Sequence, residues 1–363
     1  MILLSVVGAR PNFMKLAPLA RALGRRPGVR HVIVHTGQHY DAEMSDTFFA
    51  ELGIPRPDHN LGVGSASHAA QTAAIMIGFE PVCLDVKPDA VLVYGDVNST
   101  VAAALVAAKL GIRIGHVEAG LRSRDWTMPE EINRVVTDRL ADLLFTPSRD
   151  ANANLRAEGV PDERVHFVGN IMIDSLVTSL DAARTFAAPR RHGVESRPYV
   201  LVTLHRPGNV DAPDTLCELL DALTALSADA PVLFPVHPRT RARIRDLGWR
   251  APAGHDLHLL DPLPYLELLS LEMAAGLVVT DSGGLQEESS YLGVPCLTVR
   301  PSTERPVTCT EGTNRLVVAR RDALLAAARE AVAAPRRRVT IERWDGHAAD
   351  RIADVLVDGA RFS

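Results

Sequence analysis

Residues 280–288 read Thr-Asp-Ser-Gly-Gly-Leu-Gln-Glu-Glu and follow an apolar run, Gly-Leu-Val-Val, at residues 276–279. The run is typical of a buried strand, and apolar residues at helical spacing continue after the glycines. The pattern therefore predicts a strand, a glycine turn and a helix. Free N–H groups and the positive end of the helix dipole would meet at Ser282, Gly283 and Gly284, and this arrangement favours phosphate binding. The alternative is an ordinary strand-to-helix turn capped by Ser282.

The same alternation of apolar runs and helical patterns extends over the chain in two series. We predict an α/β fold with an N-terminal domain at residues 1–170 and a second domain at 171–346, which contains the turn that favours phosphate binding. A last helix, at about 347–363, is predicted to cross back to the first domain. The predicted strands are residues 2–7, 31–36, 90–94, 112–117, 143–146, 166–168, 199–203, 232–236, 258–260, 276–279 and 294–299.

Charged residues follow the strands of the first series, at the sheet edge where α/β proteins bind ligands. Arg10 and Lys15 follow the first strand. Asp96, Glu118 and Glu130 lie at successive strand-to-helix junctions. Three carboxylates in one site would raise one another's pKa, which prepares such groups for acid–base chemistry. Complementation of a helix dipole would explain one of these glutamates, but not the whole set.

Histidines and arginines follow the strands of the second series. His205, His237, Arg300 and Arg305 around a glycine turn favour phosphate contacts, although a single histidine there is more often structural. Glu288, on the first turns of the predicted helix, can accept hydrogen bonds from a diol such as ribose.

The composition excludes several classes of function. The chain has 363 residues and a net charge of −5, so no basic field attracts nucleic acid or an anionic membrane. Its four cysteines form no C-x-x-C pair, which favours reduced thiols. We find neither a signal peptide nor an apolar run approaching the length of a membrane span, and expect a cytoplasmic protein. G-x-G-x-x-G after the first strand, Walker A and H-E-x-x-H motifs are absent, so redox, NTPase and zinc protease functions lose support.

Nine short motifs occur in an order that resembles the non-hydrolysing UDP-N-acetylglucosamine 2-epimerases over nearly the whole chain. They are GARP (8–11), TGQH (36–39), GD (95–96), HVEAGLR (116–122), PEEINR (129–134), HR (205–206), PVHP (235–238), TDSGG (280–284) and TERP (303–306). The resemblance implies a GT-B architecture, with two Rossmann-like domains facing a deep interdomain cleft. It also implies a homodimer and no metal or redox cofactor.

The family interconverts UDP-GlcNAc and UDP-ManNAc by inverting carbon 2. UDP leaves by anti elimination, 2-acetamidoglucal stays bound, and UDP adds back after protonation from the other face. The resemblance implies acid–base roles for Asp96 and Glu118, with Glu130 as a third candidate, and leaves open which one acts in each direction. The leaving diphosphate would be stabilised by Arg10, His205, the Ser282–Gly284 turn and Arg305. Further substrate contacts are implied for Lys15, Arg134, His237 and Glu288.

Two positions depart from the family pattern. Pro207 stands where many relatives carry a second arginine, and Val307 where many carry glutamate. Some bacterial relatives bind a second UDP-GlcNAc as an activator, and Gln38 and His39 preserve part of that site. The resemblance also leaves three alternatives: a hydrolysing 2-epimerase that releases UDP and ManNAc, a GT-B glycosyltransferase, and a non-catalytic UDP-sugar-binding protein.

Overall fold

The computed structural model describes residues 1–38, 53–333 and 336–359 of the chain. It divides into two compact units. The N-terminal unit comprises Met1–Ser175 together with Glu342–Ser363, and the C-terminal unit comprises Leu176–Ile341.

The N-terminal unit is built on a parallel sheet with the strand order β3-β2-β1-β4-β5-β6-β7. Its central strands are almost completely buried and rich in Val, Ile and Leu, because both faces of the sheet are covered. In chain order the elements are β1 (Ile2–Val7), α1 (Arg10–Gly24), β2 (Arg30–His35), β3 (His59–Asn60), α2 (His68–Val86), β4 (Ala90–Tyr94), α3 (Asn98–Lys109), β5 (Arg113–Val117), α4 (Pro129–Leu140), β6 (Leu143–Thr146), α5 (Arg149–Ala157), a 3₁₀ turn (Asp162–Arg164), β7 (Val165–Phe167) and α6 (Ile171–Phe186), which continues into the C-terminal unit.

The C-terminal unit repeats this plan, with the parallel order β10-β9-β8-β11-β12-β13. Alternate residues of β8 enter separate hydrophobic clusters on the two faces of the sheet. The elements are α7 (Ala188–Arg191), β8 (Val200–Thr203), α8 (Pro207–Val210), α9 (Pro213–Leu226), β9 (Val232–Pro235), α10 (Pro238–Asp246), β10 (Leu257–Leu260), α11 (Tyr265–Ala274), β11 (Leu277–Thr280), α12 (Gly283–Leu292), β12 (Cys296–Val299), α13 (Val307–Thr310), β13 (Asn314–Val317) and α14 (Arg321–Ala333). A last helix, α15 (Ala348–Gly359), belongs to the N-terminal unit.

These two sheets confirm the predicted α/β class, with two Rossmann-like domains as in GT-B proteins. In each sheet the strand order reverses once, between β1 and β4 and between β8 and β11. Ligands of such sheets bind at the carboxyl ends of the strands beside the reversal. We therefore expect ligand-binding residues in the loops after these four strands.

Two strands of the structure were missed by the sequence prediction. Strand β3 has two residues, and β13 begins with Asn314 and the exposed Arg315, so neither shows a continuous apolar run. The expectation that no apolar run reaches the length of a membrane span was also wrong. Helix α2 is long and apolar enough by length and composition alone, although a single helix of this kind is weak evidence for a membrane.

Helix α15 packs against α1 of the same unit. Its first turn is held by Asp174, whose two oxygens accept hydrogen bonds from the N–H groups of Ala348 (3.1 Å) and Ala349 (2.7 Å). Such N–H groups at a helix start have no partner within the helix. Burial raises the pKa of Asp174 to about 6, despite these two bonds.

We expect Asp174→Asn to gain stability relative to the wild type as the pH rises from about 4 to about 6. The ordinary pKa of this carboxyl is 3.8, so in that window the folded protein keeps a proton that the unfolded chain has released. Stability then falls with rising pH, and the Asn variant lacks this loss. Urea unfolding at several pH values measures the difference, which should level off above about pH 6.

Asp345→Asn is the matched control, because the hydrogen bond from Arg351 lowers the pKa of Asp345. The stability that this lowered pKa contributes is lost only as the pH falls below the ordinary 3.8, so between about pH 4 and 6 the difference between this variant and the wild type should stay nearly constant. Parallel pH profiles for the two variants would refute the assignment.

Candidate active site

A buried ion pair between Lys15 and Glu118 lies at the carboxyl edge of the N-terminal sheet. Glu118 follows β5 directly, Lys15 is on α1, and their side chains are only 4% and 5% exposed. The backbone of Glu118 has a φ of 73°, which is uncommon for a residue with a side chain. The N–H groups of Glu118 and Ala119 both donate to the carbonyl of Phe145, and these bonds hold the conformation. Strain of this kind is typical of functional sites.

A second ion pair joins Asp96, which follows β4, to Arg134 on α4. Arg134 is almost completely buried and also contacts Glu131 at 2.7 Å. Asp96 is 29% exposed, so its carboxylate remains accessible to a ligand.

Gly95 brings the two ion pairs together. A Cβ at this glycine would lie 2.6 Å from Lys15 Nζ and 3.1 Å from Glu118 Oε2, and its φ of 61° also suits glycine. The Lys15–Glu118 pair is therefore adjacent to the turn that carries Asp96. Each of the two carboxylates, Asp96 and Glu118, is thus held by its own cation at this edge of the sheet.

The two glutamates at the start of α4 differ in their surroundings. Glu131 is buried and accepts hydrogen bonds from the backbone N–H groups of Ser123 (2.9 Å) and Arg124 (2.8 Å). Burial alone would raise the pKa of Glu131, but these bonds and Arg134 hold it below its usual value. Glu130 is partly exposed and, among the described residues, forms no hydrogen bond or ion pair. Of the two, Glu130 is the side chain available to a ligand.

A buried network behind Asp96 was not predicted from the sequence. The ring of His116 lies 2.6 Å from a carboxylate oxygen of Asp138 through Nδ1 and 2.8 Å from the carbonyl of Gly95 through Nε2. Both partners are acceptors, so the ring is held in place through both of its nitrogens. Arg122 contacts the other oxygen of Asp138 at 2.7 Å. The network fixes the Gly95 turn: His116 and Arg122 belong to the HVEAGLR motif, but their partner Asp138 lies 22 residues after His116 and has no spacing that would identify it.

Two further predicted residues of this unit lie in different settings. Arg10 is exposed at the start of α1. Gln38 is buried, and its side-chain oxygen accepts hydrogen bonds from the N–H (3.0 Å) and hydroxyl (2.7 Å) of Ser99 at the start of α3. His39 lies outside the described residues.

In the C-terminal unit, α12 begins at Gly283 after the N-cap residue Ser282, as the sequence pattern predicts. The Ser282 side chain makes no capping hydrogen bond, and Ser282, Gly283 and Gly284 are all partly exposed. The first N–H groups of α12 therefore point to a surface that a ligand reaches. This geometry is typical of an anion site.

Asp281 holds His205 beside this turn. Its buried carboxylate accepts hydrogen bonds from the N–H groups of His205 and Arg206 and lies 3.0 Å from His205 Nδ1. Burial would raise the pKa of Asp281, but His205 and these N–H groups hold it below its usual value. The His205 ring is 40% exposed and its centroid lies 5.6 Å from that of His237. With Nδ1 on Asp281, Nε2 is the nitrogen left to contact a ligand.

Arginines and glutamates alternate behind the turn. Arg305 pairs with Glu287 (2.8 Å) and Glu304 (2.5 Å), and a Cβ at Gly283 would lie 2.6 Å from its Nη1. Glu304 also pairs with Arg300 (2.7 Å) and lies 3.7 Å from Arg206. Burial would raise the pKa of Glu304, but the three arginines hold it far below its usual value. Arg206, Arg300 and Arg305 therefore face three carboxylates, those of Glu287, Glu304 and Asp281, so the positive charge beside the turn is largely balanced.

Glu288 is buried on α12 and accepts a hydrogen bond of 2.9 Å from the hydroxyl of Tyr265 on α11. Tyr265 was not singled out from the sequence, because it lies 23 residues earlier and on another helix.

Within the described part of the chain, no group of three or more His, Cys, Asp or Glu side chains is placed to hold a metal ion.

Comparison with known proteins gives consistent matches over the chain. The family model described as UDP-N-acetylglucosamine 2-epimerase matches residues 21–357. A UDP-N-acetylglucosamine 2-epimerase homolog of Methanococcus maripaludis is 43% identical over 90% of this chain and 91% of its own. The UDP-2,3-diacetamido-2,3-dideoxy-D-glucuronate 2-epimerase of Pseudomonas aeruginosa is 42% identical over 98% and 99%. The crystal structure of Methanocaldococcus jannaschii UDP-GlcNAc 2-epimerase with UDP-GlcNAc and UDP superposes with a TM-score of 0.92, at 39% identity, over 99% of this chain and 100% of that one.

Proposed function

Since the chain belongs to the UDP-N-acetylglucosamine 2-epimerase family, we propose that it converts UDP-GlcNAc reversibly to UDP-ManNAc without net hydrolysis. The observation that carries the proposal is the pair of carboxylates, Asp96 and Glu118, each held by a cation at the carboxyl edge of the N-terminal sheet. Inversion at carbon 2 requires a proton to leave one face of the sugar and another to arrive at the opposite face. Two acid–base groups supply this directly.

The proposed reaction begins with elimination. A carboxylate removes the proton from carbon 2, the bond between carbon 1 and the UDP oxygen breaks, and its electron pair leaves with the diphosphate. The product, 2-acetamidoglucal, stays bound. A proton then adds to carbon 2 from the other face, and the UDP oxygen reattaches to carbon 1. Asp96 and Glu118 are assigned to these transfers, with Glu130 as a third candidate.

The C-terminal unit is assigned to the UDP group. The carbon-2 proton is weakly acidic, so stabilisation of the leaving diphosphate supplies much of the driving force. This role is supported by the N–H groups of Ser282, Gly283 and Gly284, by Nε2 of His205 and by the Arg305 guanidinium beside Gly283. Arg10, Lys15, Arg134 and His237 are assigned to further substrate contacts, and Glu288 to the ribose hydroxyl groups.

Proton NMR with UDP-GlcNAc in heavy water tests the proposal. We expect loss of the carbon-2 proton signal and the appearance of UDP-ManNAc. Stoichiometric free UDP with ManNAc would identify a hydrolysing enzyme instead. Exchange that requires an added acceptor would identify a transferase, and UDP binding without turnover would identify a binding protein.

The pseudomonad relative supports a second candidate substrate. Its name gives a sugar with a second acetamido group and a carboxylate, and it matches 98% of this chain at 42% identity. The same elimination and addition at carbon 2 would apply to that sugar. Comparing kcat/KM for UDP-2,3-diacetamido-2,3-dideoxy-D-glucuronate and for UDP-GlcNAc decides between them, and Pro207 and Val307 are the first positions to exchange if the former is preferred.

Substitution of Gly283 by alanine is expected to raise the Kd for UDP about tenfold or more. The added Cβ would lie 2.6 Å from Arg305 Nη1 and would displace this guanidinium, together with the hydrogen bonds proposed from it to the diphosphate. The loss of one or two such hydrogen bonds corresponds to about that factor. Calorimetry with UDP measures it, and Gly208→Ala is the control, because a Cβ there meets nothing within 4 Å. Equal affinity in both variants would exclude the turn from UDP binding.

We further propose a homodimer that buries the exposed face of α2. Ile77 is 74% exposed and Leu84 is 57% exposed, and Ala70, Ala73 and Pro81 continue the same exposed stripe. Apolar side chains at helical spacing on a surface mark an interaction site. Light scattering should give a dimer, and Ile77→Glu with Leu84→Glu should give a monomer, whereas Glu80→Gln on the same helix should not. A wild-type monomer at high concentration would refute the proposal.

The four cysteines are free, which supports a cytoplasmic location.

A further inference from the structure

Two glutamates from neighbouring helices meet inside the C-terminal unit. Glu272 on α11 is completely buried, and Glu288 on α12 is 3% exposed. The carboxyl groups lie within hydrogen-bonding distance of each other. Oε1 of Glu272 accepts a hydrogen bond of 2.8 Å from the hydroxyl of Ser289, and its Oε2 meets no donor. The reaction proposed above makes no use of Glu272.

The described surroundings of Glu272 supply no ion-pair partner. Within the described part of the chain, no cation forms an ion pair with it. Five titratable groups among the described residues lie near it: Glu288 on α12, Tyr265 on α11, Cys296 on β12, Tyr199 and Arg336. Burial raises the pKa of the Cys296 thiol to about 12. The Tyr199 hydroxyl donates to the carbonyl of Leu271, and the Arg336 guanidinium donates to the carbonyls of Met273 and Ala275 at the end of α11.

A carboxyl group that is completely buried, forms no ion pair among the described residues and lies against a second carboxyl group keeps its proton. Burial, and then repulsion by Glu288, raises the pKa of Glu272 well above its ordinary value. The hydrogen bonds decide which of the two holds the proton. Tyr265 donates to Glu288, which favours its anion. Ser289 donates to Oε1 of Glu272, so Oε2 is the oxygen that bears the proton and gives it to Glu288.

We propose that Glu272 is a positioning residue of the nucleotide site, a neutral acid whose O–H, together with the Tyr265 O–H, fixes the Glu288 carboxylate in the orientation that accepts the ribose hydroxyl groups. The inference rests on the proposed UDP-sugar function, in which Glu288 contacts ribose. It adds a source of sugar selectivity, because a fixed anion distinguishes ribose from 2′-deoxyribose by the loss of a charge-assisted hydrogen bond.

Glu272→Gln and Glu272→Met separate this role from simple packing. Glutamine keeps one donor for Glu288 and one acceptor for Ser289, and it cannot ionise. Methionine fills similar space and provides neither group. Glu267→Gln is the control, since Glu267 lies on the same helix and contacts His192 instead.

Calorimetry with UDP and 2′-deoxy-UDP from about pH 7 to the alkaline limit of stability measures the effect. We expect the wild type to prefer UDP by about tenfold or more, which is the usual value of one charge-assisted hydrogen bond. The Gln variant should keep this preference, whereas the Met variant should lose most of it at every pH. At alkaline pH the affinity of the wild type for UDP should fall relative to that of the Gln variant, because Glu272 ionises in the wild type alone. Ionisation of the uracil and phosphate groups of UDP affects both proteins equally and cancels in this comparison.

Unfolding without ligand provides a second measurement. Above the ordinary pKa of a glutamate, the folded wild type keeps a proton that the unfolded chain releases. The unfolding equilibrium of the wild type should therefore shift towards the unfolded state as the pH rises. Relative to the Gln variant, the shift should be up to about tenfold per pH unit.

The inference is overturned if Gln and Met variants discriminate the two nucleotides equally, or if both behave as the wild type. A wild type that binds UDP but does not epimerise UDP-GlcNAc would refute the proposed function and leave the role of Glu272 intact. A wild type that binds no UDP would refute both.

Discussion

Glu118→Gln is expected to lower kcat by about a hundredfold to ten-thousandfold, the usual contribution of a general acid–base group. Glutamine keeps the shape of the side chain and an oxygen for Lys15, but it cannot take a proton from carbon 2. The Kd for UDP should be unchanged, because the residues assigned to UDP in the C-terminal unit are untouched. Rates of UDP-ManNAc formation and of deuterium entry at carbon 2 should fall together.

Glu163→Gln is the control for this change, since Glu163 is exposed in the 3₁₀ turn of the same unit. A Glu118→Gln enzyme with kcat within about tenfold of the wild type would exclude Glu118 from proton transfer. It would then be the partner of Lys15 only, and Asp96 and Glu130 would remain as the acid–base candidates.

Arg134→Met is expected to lower the free energy of unfolding by about 3–5 kcal/mol, which is typical when one partner of a buried ion pair is removed. The guanidinium of Arg134 neutralises both Asp96 and Glu131, and its side chain is only 2% exposed. Glu131 would keep its N–H donors from Ser123 and Arg124, but lose its counter-charge. Arg134→Lys should give an intermediate loss, because an ammonium group does not reproduce the planar contacts to two carboxylates.

Urea unfolding followed by tryptophan fluorescence in a Trp249→Phe background measures this loss. The remaining tryptophans, Trp126 and Trp344, both lie in the N-terminal unit, and Trp344 is buried with its indole N–H on the carbonyl of Pro147. Arg139→Met on the exposed face of α4 is the control and should change stability by less than about 0.5 kcal/mol. A loss below about 1 kcal/mol for Arg134→Met would show that Asp96 and Glu131 do not depend on it.

The sequence predicted the features that repeat at short range. Strands with continuous apolar runs, such as Ile2–Val7 and Ala90–Tyr94, were predicted with the bounds that the structure has. The helix after Ser282-Gly283-Gly284 was predicted because glycine, cap and apolar spacing all occur within ten residues. Strand β13 was missed because an edge strand needs only a few buried side chains. With Asn314 and Arg315 at its start, this strand shows no continuous apolar run in the sequence.

Contacts between distant residues could not be predicted in the same way. The sequence placed Asp96 and Glu118 at one edge of the sheet, because parallel strands end together. It did not indicate that Arg134 and Lys15 neutralise them, since pairing depends on the directions of side chains on α1 and α4. The pair Glu272 and Glu288 was missed for a similar reason: the two residues lie on different helices and match no spacing rule.

The position of α15 has a consequence for the order in which the chain folds during synthesis. The C-terminal unit is one continuous segment, Leu176–Ile341, whereas the N-terminal unit needs Glu342 and the residues after it. A ribosome therefore releases every residue of the second unit before it releases the last helix of the first. Until then, the α1 surface that α15 covers stays open and Asp174 lacks the N–H groups of Ala348 and Ala349. The first unit to be made is thus the last to be completed, which reverses the usual N-terminal-first order of domain folding.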